Sequence, residues 1–211
     1  MTPAAHRAAM TLAEQVLAGA DARMARLIDA HGPCCLAPAW RRSPYEALVR
    51  AVMFQQLHGR AAEAILARFM ALHPDTAFPS PDAVLGTSDA TLRSVGLSRQ
   101  KVSYIRAIAE GAVGGVVPVT RQGLSRVSDD AIVERLVQIK GVGRWTAEML
   151  LIFTLGRLDV LPVDDYGVRS GFDRMAKRCE RVTPAALARI GEKWRPYRSV
   201  ATWYLWRAAD G

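Results

Sequence analysis

Two glycines one residue apart, Gly141 and Gly143, stand between Lys140 and Arg144, behind the apolar pair Leu136 and Ile139. The spacing predicts a helix that arrives with Leu136 and Ile139 on its buried face, a turn of very few residues, and a second helix that leaves at once. Glycine supplies the positive φ such a turn needs. Ala147 is small enough for close packing, and Leu150 and Leu151 continue the buried face. The chemistry of this arrangement is anion binding. Backbone N–H groups from Gly141 and Val142 through Thr146 would stand at a helix N-terminus without intrahelical partners, where the helix dipole favours negative charge. The glycines let a phosphate approach, and Lys140 and Arg144 add charge. Contacts of this kind hold a nucleic-acid backbone without reading its sequence. Further along, Asp164 and Asp165 follow Pro162 and would start another helix. Taken alone, two such acids are N-capping residues.

The whole chain supports a polyanion partner. It has 211 residues, with 28 Lys and Arg against 20 Asp and Glu and a net charge of +8. A balance of that size favours nucleic acid. Half of the residues are hydrophobic, which argues against disorder and allows a sizeable core. Cys34, Cys35 and Cys179 are odd in number and show no metal-ligand spacing, so thiols in a reducing compartment are expected rather than disulfides, zinc or an iron–sulfur cluster. The first ten residues lack a signal core, and no run approaches membrane-spanning length. The expected location is the cytoplasm, or the nucleus in a eukaryote, and the expected state is a monomer.

The elements that must position these groups read as all-α. Met10 to Leu27 is Ala-rich with an apolar stripe. Ser43-Pro44 opens a helix to about Gln56, and Arg60 to Leu72 forms the next. Ser80-Pro81 and Ser88-Asp89 open two short helices, and Ser98 opens one that runs to the glycines at 111, 114 and 115. Ser128 caps the helix expected to reach Gly141, and Arg144 to Leu155 is read as one helix. Thr183-Pro184 opens a helix to about Trp194, and Tyr197 to Ala208 forms the last. No strand pattern stands out. The expected architecture is two helical lobes with a cleft between them, one lobe built from about 1–42 plus 170–211 and the other from about 43–169. The glycine-rich stretch near 111–123 is the expected seam.

At Leu136 to Ala147 the sequence resembles the helix-hairpin-helix DNA glycosylases, in particular the compact members of the alkylated-base branch, which lack an N-terminal β domain. Gln55-Gln56-Leu57-His58-Gly59-Arg60-Ala61-Ala62, Gly96-Leu97-Ser98 with Lys101 and Tyr104-Ile105, Leu161 to Tyr166, and Trp194 to Ser199 with Trp206 resemble further family segments in the family's order. The resemblance implies base excision repair on double-stranded DNA containing a damaged base. The nucleotide is flipped out and an alkylated purine of the 3-methyladenine or 7-methylguanine type is removed; the alternatives are a glycosylase of the same fold for another lesion, such as ethenoadenine, hypoxanthine or uracil, and a non-catalytic helix-hairpin-helix DNA-binding protein. It implies DNA contacts at Gln56, His58, Gly59, Arg60, Lys101, Lys140, Gly141, Val142, Gly143, Arg144 and Thr146, with Gln56 filling the gap left by the flipped base. It also implies a monovalent cation, Na+ or K+, on the main-chain carbonyls of Val137, Ile139 and Val142, and no required cofactor.

The resemblance recasts the acids. A base on an N-glycosidic bond leaves through a cation-like sugar, and a fixed carboxylate stabilises that charge or helps water attack. Alignment on Asp-Asp-Tyr points to Asp165, with Asp164 as the helix cap; alignment on the V-D-x-x-x-x-R pattern of another branch points to Asp164, with Arg169 trailing. The hairpin-to-loop spacing favours Asp165. Superfamily members with lyase activity carry a lysine two residues after the second hairpin glycine, where Trp145 stands here. The expected enzyme therefore uses water and forms no Schiff base. Trp145, Tyr166 and Trp206 are the candidate stacking surfaces for an electron-poor base.

Overall fold

The computed structural model describes residues 3–57 and 59–210, which form helices and connecting loops without a strand. In chain order the helices are α1 (Pro3–Ala20), α2 (Ala22–His31), α3 (Pro44–Phe54), α4 (Gly59–Ala71), α5 (Pro81–Gly86), α6 (Asp89–Ser94), α7 (Arg99–Val113), α8 (Asp129–Leu136), α9 (Arg144–Leu150), α10 (Tyr166–Met175), α11 (Pro184–Gly191) and α12 (Arg198–Asp210). Most starts are set by one local device. The side chains of Ser43, Ser80, Ser88, Ser98, Ser128 and Thr183 each accept a backbone N–H three residues on. Each cap satisfies a donor that the helix itself cannot.

The chain divides into two compact units, residues 1–38 with 151–211 and residues 39–150. The divisions fall elsewhere than the sequence suggests. The segment 151–169 belongs with the chain ends, because the Ser199 hydroxyl on α12 accepts the Val160 N–H and donates to the Arg157 carbonyl. Arg198 adds ion pairs to Asp159 at 2.6 Å. The glycine-rich stretch near 111–123 is no seam. Its Val116 and Val117 N–H groups turn back onto the Gly111 carbonyl, and Pro118 accepts from Tyr45 at the start of α3.

In the first unit α12 packs against α10, α2 and α1, and buries Val200, Ala201, Tyr204 and Leu205. The α10–α12 contact depends on Gly171, where a Cβ would fall 1.8 Å from the Leu205 carbonyl oxygen. The Ala-rich N-terminal stretch is two helices rather than one. Asp21 interrupts it by capping α2 through the Arg23 N–H, and its carboxylate also takes Lys193 at 2.7 Å and the Trp194 indole. The helix expected from Arg144 to Leu155 changes at Leu151 into a π-helical turn through Leu155. That turn leaves Phe153 partly exposed between the buried Ile152 and Thr154.

In the second unit α3 packs on α4, α7 and α9, while α7 also packs on α5 and α6. Leu48, Val49, Val52, Met53, Phe69, Leu92, Ile105 and Ile108 form its core. Helix α8 stops at Leu136, short of Gly141. The last residues before the hairpin form tight turns, with Ile139 N–H on the Leu136 carbonyl and Val142 N–H on the Ile139 carbonyl. Ile139 packs into a space kept open by Gly111, whose Cβ would lie 2.7 Å from the Ile139 methyl.

Candidate functional site

The first unit builds its candidate site around Asp165. The residue is the N-cap of α10, not Asp164, and its Oδ1 accepts the Val168 N–H at 2.8 Å. The same oxygen accepts the Trp206 indole N–H at 3.1 Å. Asp164 points its side chain to solvent, whereas Asp165 is half-buried. Trp206 is itself held by a stack on Phe153, with ring centroids 5.6 Å apart and planes at 17°. Gly167 makes this convergence fit, because a Cβ there would lie 3.0 Å from Trp206 Cδ1 and 3.2 Å from Asp165 Oδ1. A carboxylate fixed by two donors beside an aromatic stack can stabilise a developing positive charge without reorganising.

Tyr166, expected as a stacking surface, follows Asp165 at the start of α10. Its ring is exposed, and the Arg181 guanidinium lies over it 4.1 Å from the centroid. Hydrogen bonding and charge from Arg181 hold the Tyr166 phenol below its ordinary range. Phe153 and Gly167 take up roles at this site that the sequence reading did not assign. Phe153 sits in an apolar run that reads as core, and only the π-turn exposes it. The signal available for Gly167 was a glycine inside the first helical turn after a pair of acids.

The second unit carries the hairpin. Gly141 has φ +88, and a Cβ there would sit 2.2 Å from Tyr104 Cγ, so both backbone and packing demand glycine. Gly143 lacks a positive φ, contrary to expectation, and a Cβ there would meet nothing within 4 Å. Its role is openness, not conformation. The first helical hydrogen bond of α9 runs from Ala147 N–H to the Gly143 carbonyl at 3.1 Å. The N–H groups of Arg144, Trp145 and Thr146 therefore belong to the open first turn. Val142 leaves the expected donor set, since its N–H is spent on Ile139, and its side chain and that of Thr146 are buried. Lys140 is exposed. The Arg144 guanidinium, also largely exposed, is paired at 3.0 Å with Glu148, a carboxylate otherwise buried. Trp145 is about half exposed at the start of α9.

The loop after α3 comes to the same hairpin, where the Gln55 amide lies 3.5 Å from the Gly141 carbonyl. Gln56 is exposed with φ 56, a left-handed turn that lifts it from the helix end. Gly59 and Arg60 are exposed at the start of α4, and His58 lies outside the described residues. Lys101 is engaged by the protein's own backbone. Its ammonium donates to the carbonyls of Met53 at 2.6 Å and Gln55 at 2.9 Å, the unsatisfied end of α3. Burial lowers its pKa, as befits a structural lysine.

An all-helical chain with a glycine hairpin and a helix-capping, indole-bonded aspartate has the make-up of a DNA repair enzyme of the helix-hairpin-helix class. The chain belongs to the HhH-GPD superfamily, whose description as base excision DNA repair proteins matches residues 49–196. It is 38% identical over 201 residues to DNA-3-methyladenine glycosylase 1 of Schizosaccharomyces pombe, covering 95% of this chain and 88% of that protein. A solved structure of a 3-methyladenine DNA glycosylase from the same yeast, in complex with abasic DNA, is 38% identical with a TM-score of 0.79, covering 92% of this chain and 95% of that one. A DNA-3-methyladenine glycosidase from Bacillus halodurans is 35% identical with a TM-score of 0.83, covering 92% and 88%. Among the described residues no helix is long and apolar enough to cross a membrane.

Proposed function

We propose that this chain is a monofunctional DNA glycosylase that flips an alkylated purine out of duplex DNA and hydrolyses its N-glycosidic bond. The observation that carries this reading is the Asp165 carboxylate, fixed by the Val168 N–H and the Trp206 indole. As the bond between C1′ and the base nitrogen breaks, positive charge grows on the sugar, and the carboxylate stabilises it. Water bonds to C1′ and yields its proton as the base departs. A purine made cationic by alkylation is already a good leaving group, so no strong acid is required. The Phe153–Trp206 stack offers an aromatic platform beside the carboxylate. An electron-poor base stacked there gains about 0.5–2 kcal/mol per contact.

The DNA backbone is held by the open first turn of α9, by the uncrowded approach at Gly143 and by Lys140. Gln56, presented by its left-handed turn, is the wedge for the vacated base stack. The carbonyls of Val137, Ile139 and Val142 form a neutral oxygen set suited to Na+ or K+. The Ile139 carbonyl accepts one hydrogen bond and keeps a second lone pair for such an ion. Trp145, standing where a lyase would carry lysine, supports water as the nucleophile.

Base release from methylated duplex DNA by wild type, Asp165→Asn and Asp164→Asn tests the assignment. Asp165→Asn should abolish release and still bind DNA, while Asp164→Asn should keep most activity. The reverse ranking would move the chemistry to Asp164. Borohydride should trap no covalent adduct, and a trapped adduct would overturn the monofunctional assignment.

A further inference from the structure

The first unit carries a second cationic feature, separate from the hairpin. Where α10 ends, residues 173–181 fold around a cavity of about 390 Å³. Its walls bring Arg174, Lys177, Arg178 and Arg181 together against Asp173 and Glu180. All four cations are exposed. Asp173 is the anchor. Its carboxylate accepts the Val182 N–H at 3.0 Å and lies 3.6 Å from Arg178 and 3.9 Å from Arg181, so it holds the loop and fans the guanidinium groups outward. Arg174 is fixed from behind, donating to the Ala208 carbonyl on α12. Lys177 sits at φ 51 and makes no ion pair among the described residues.

The geometry points to this cavity as a seat for a phosphate diester of the DNA backbone, on the strand whose nucleotide is processed. The proposal rests on the glycosylase reading for its choice of DNA, and three observations carry it. The cleft has two more cations than carboxylates and opens to solvent. Its Arg181 covers the ring of Tyr166, the neighbour of Asp165, so the cleft starts beside the candidate carboxylate. Arg174 lies nine residues beyond Asp165 on α10, hence about 14 Å along the helix axis. At 3.4 Å of duplex axis per nucleotide, that distance spans at most roughly four nucleotides. The cleft thus lies where phosphates one to about four nucleotides from the flipped base would pass.

The test is binding, without base release, to duplexes in which single phosphates are replaced by neutral methylphosphonates. At one position within about four nucleotides of the lesion, the replacement should weaken wild type while leaving Lys177→Asn unaffected; asparagine is chosen because it tolerates the left-handed backbone. With unmodified DNA, Lys177→Asn should make the plot of log K against log salt shallower by about 0.9, equivalent to about an eightfold loss at 0.1 M relative to 1 M salt. Arg178→Gln should act in the same direction. Arg189→Gln removes one charge from α11 outside the cleft and should leave the slope within about 0.3 of wild type. Equal losses for wild type and Lys177→Asn at every methylphosphonate position would overturn the proposal, as would an unchanged slope. None of these readouts uses excision, so a failed glycosylase assignment would show in base release alone.

Discussion

The two hairpin glycines should separate stability from binding. Gly141→Ala places a Cβ 2.2 Å from Tyr104 Cγ and forces alanine to φ +88. The left-handed backbone costs about 1–2 kcal/mol. The forced overlap with a packed ring adds about 1–3 kcal/mol. The total, roughly 2–5 kcal/mol, corresponds to a fall in Tm of about 4–20 °C for a protein of this size. In a Tyr104→Gly background, which also removes the Tyr104 Cβ that would lie 2.7 Å away, only the backbone share remains, so the cost of Gly141→Ala should drop to about 1–2 kcal/mol. Gly143→Ala meets nothing within 4 Å and needs no unusual φ. Its stability should stay within about 1 kcal/mol of wild type. Its DNA affinity should fall, because the methyl group stands where a phosphate approaches α9. Thermal melts of the four glycine and tyrosine combinations, with fluorescence-anisotropy binding for Gly143→Ala, decide the matter. An unaltered Tm for Gly141→Ala would refute the packing argument, an equal cost in both backgrounds would acquit Tyr104, and normal DNA binding by Gly143→Ala would remove the phosphate from this turn.

Gly167→Ala should push the Trp206 indole away from Asp165 and lower the single-turnover rate of base release by about tenfold, the effect of losing a transition-state interaction worth about 1.4 kcal/mol. An unchanged rate would show that the indole hydrogen bond does not position the carboxylate. Burial raises the Cys34 thiol to about 12. Above about pH 9 the folded chain keeps a proton that the unfolded chain has lost, so stability should fall by up to about 1.4 kcal/mol per pH unit. Tyr45 and Tyr204, also raised by burial, add the same sign at higher pH in any variant that keeps them. Melting curves should therefore decline less steeply with alkaline pH for Cys34→Ala than for wild type, and native protein should give two fast thiols, Cys35 and Cys179, with aromatic disulfide reagents. Three fast thiols, or parallel pH profiles, would contradict the burial.

Much of the fold was legible because its helix starts are local. A serine or threonine that accepts an N–H three residues on is visible in the sequence, and Ser43, Ser98 and Thr183 all act this way. The turn at Gly141 was legible for the same reason. Features decided by distant partners were not. Lys101 reads as a free cation, but two carbonyls far away in sequence claim it. The capping role passed from Asp164 to Asp165 because one carboxylate serves both Val168 and Trp206, the latter 41 residues on. The π-turn at Leu151–Leu155 breaks the helical period just where Phe153 turns outward, so helical spacing gives no sign that this ring is exposed.

Two donors at Asp165, the Val168 N–H and the Trp206 indole, address the same oxygen, Oδ1. An asparagine at this position has a single acceptor to offer them, and it must turn its carbonyl toward Val168 and Trp206. Its NH₂ group is then obliged to stand where Oδ2 stands, and the alternative flip would set donor against donor. Asp165→Asn therefore does more than erase a charge. It locks an amide with its positive end toward the place where a sugar cation would form. A cationic sugar mimic should accordingly bind Asp165→Asn more weakly than Asp165→Ala, although asparagine is the nearer likeness of the native side chain.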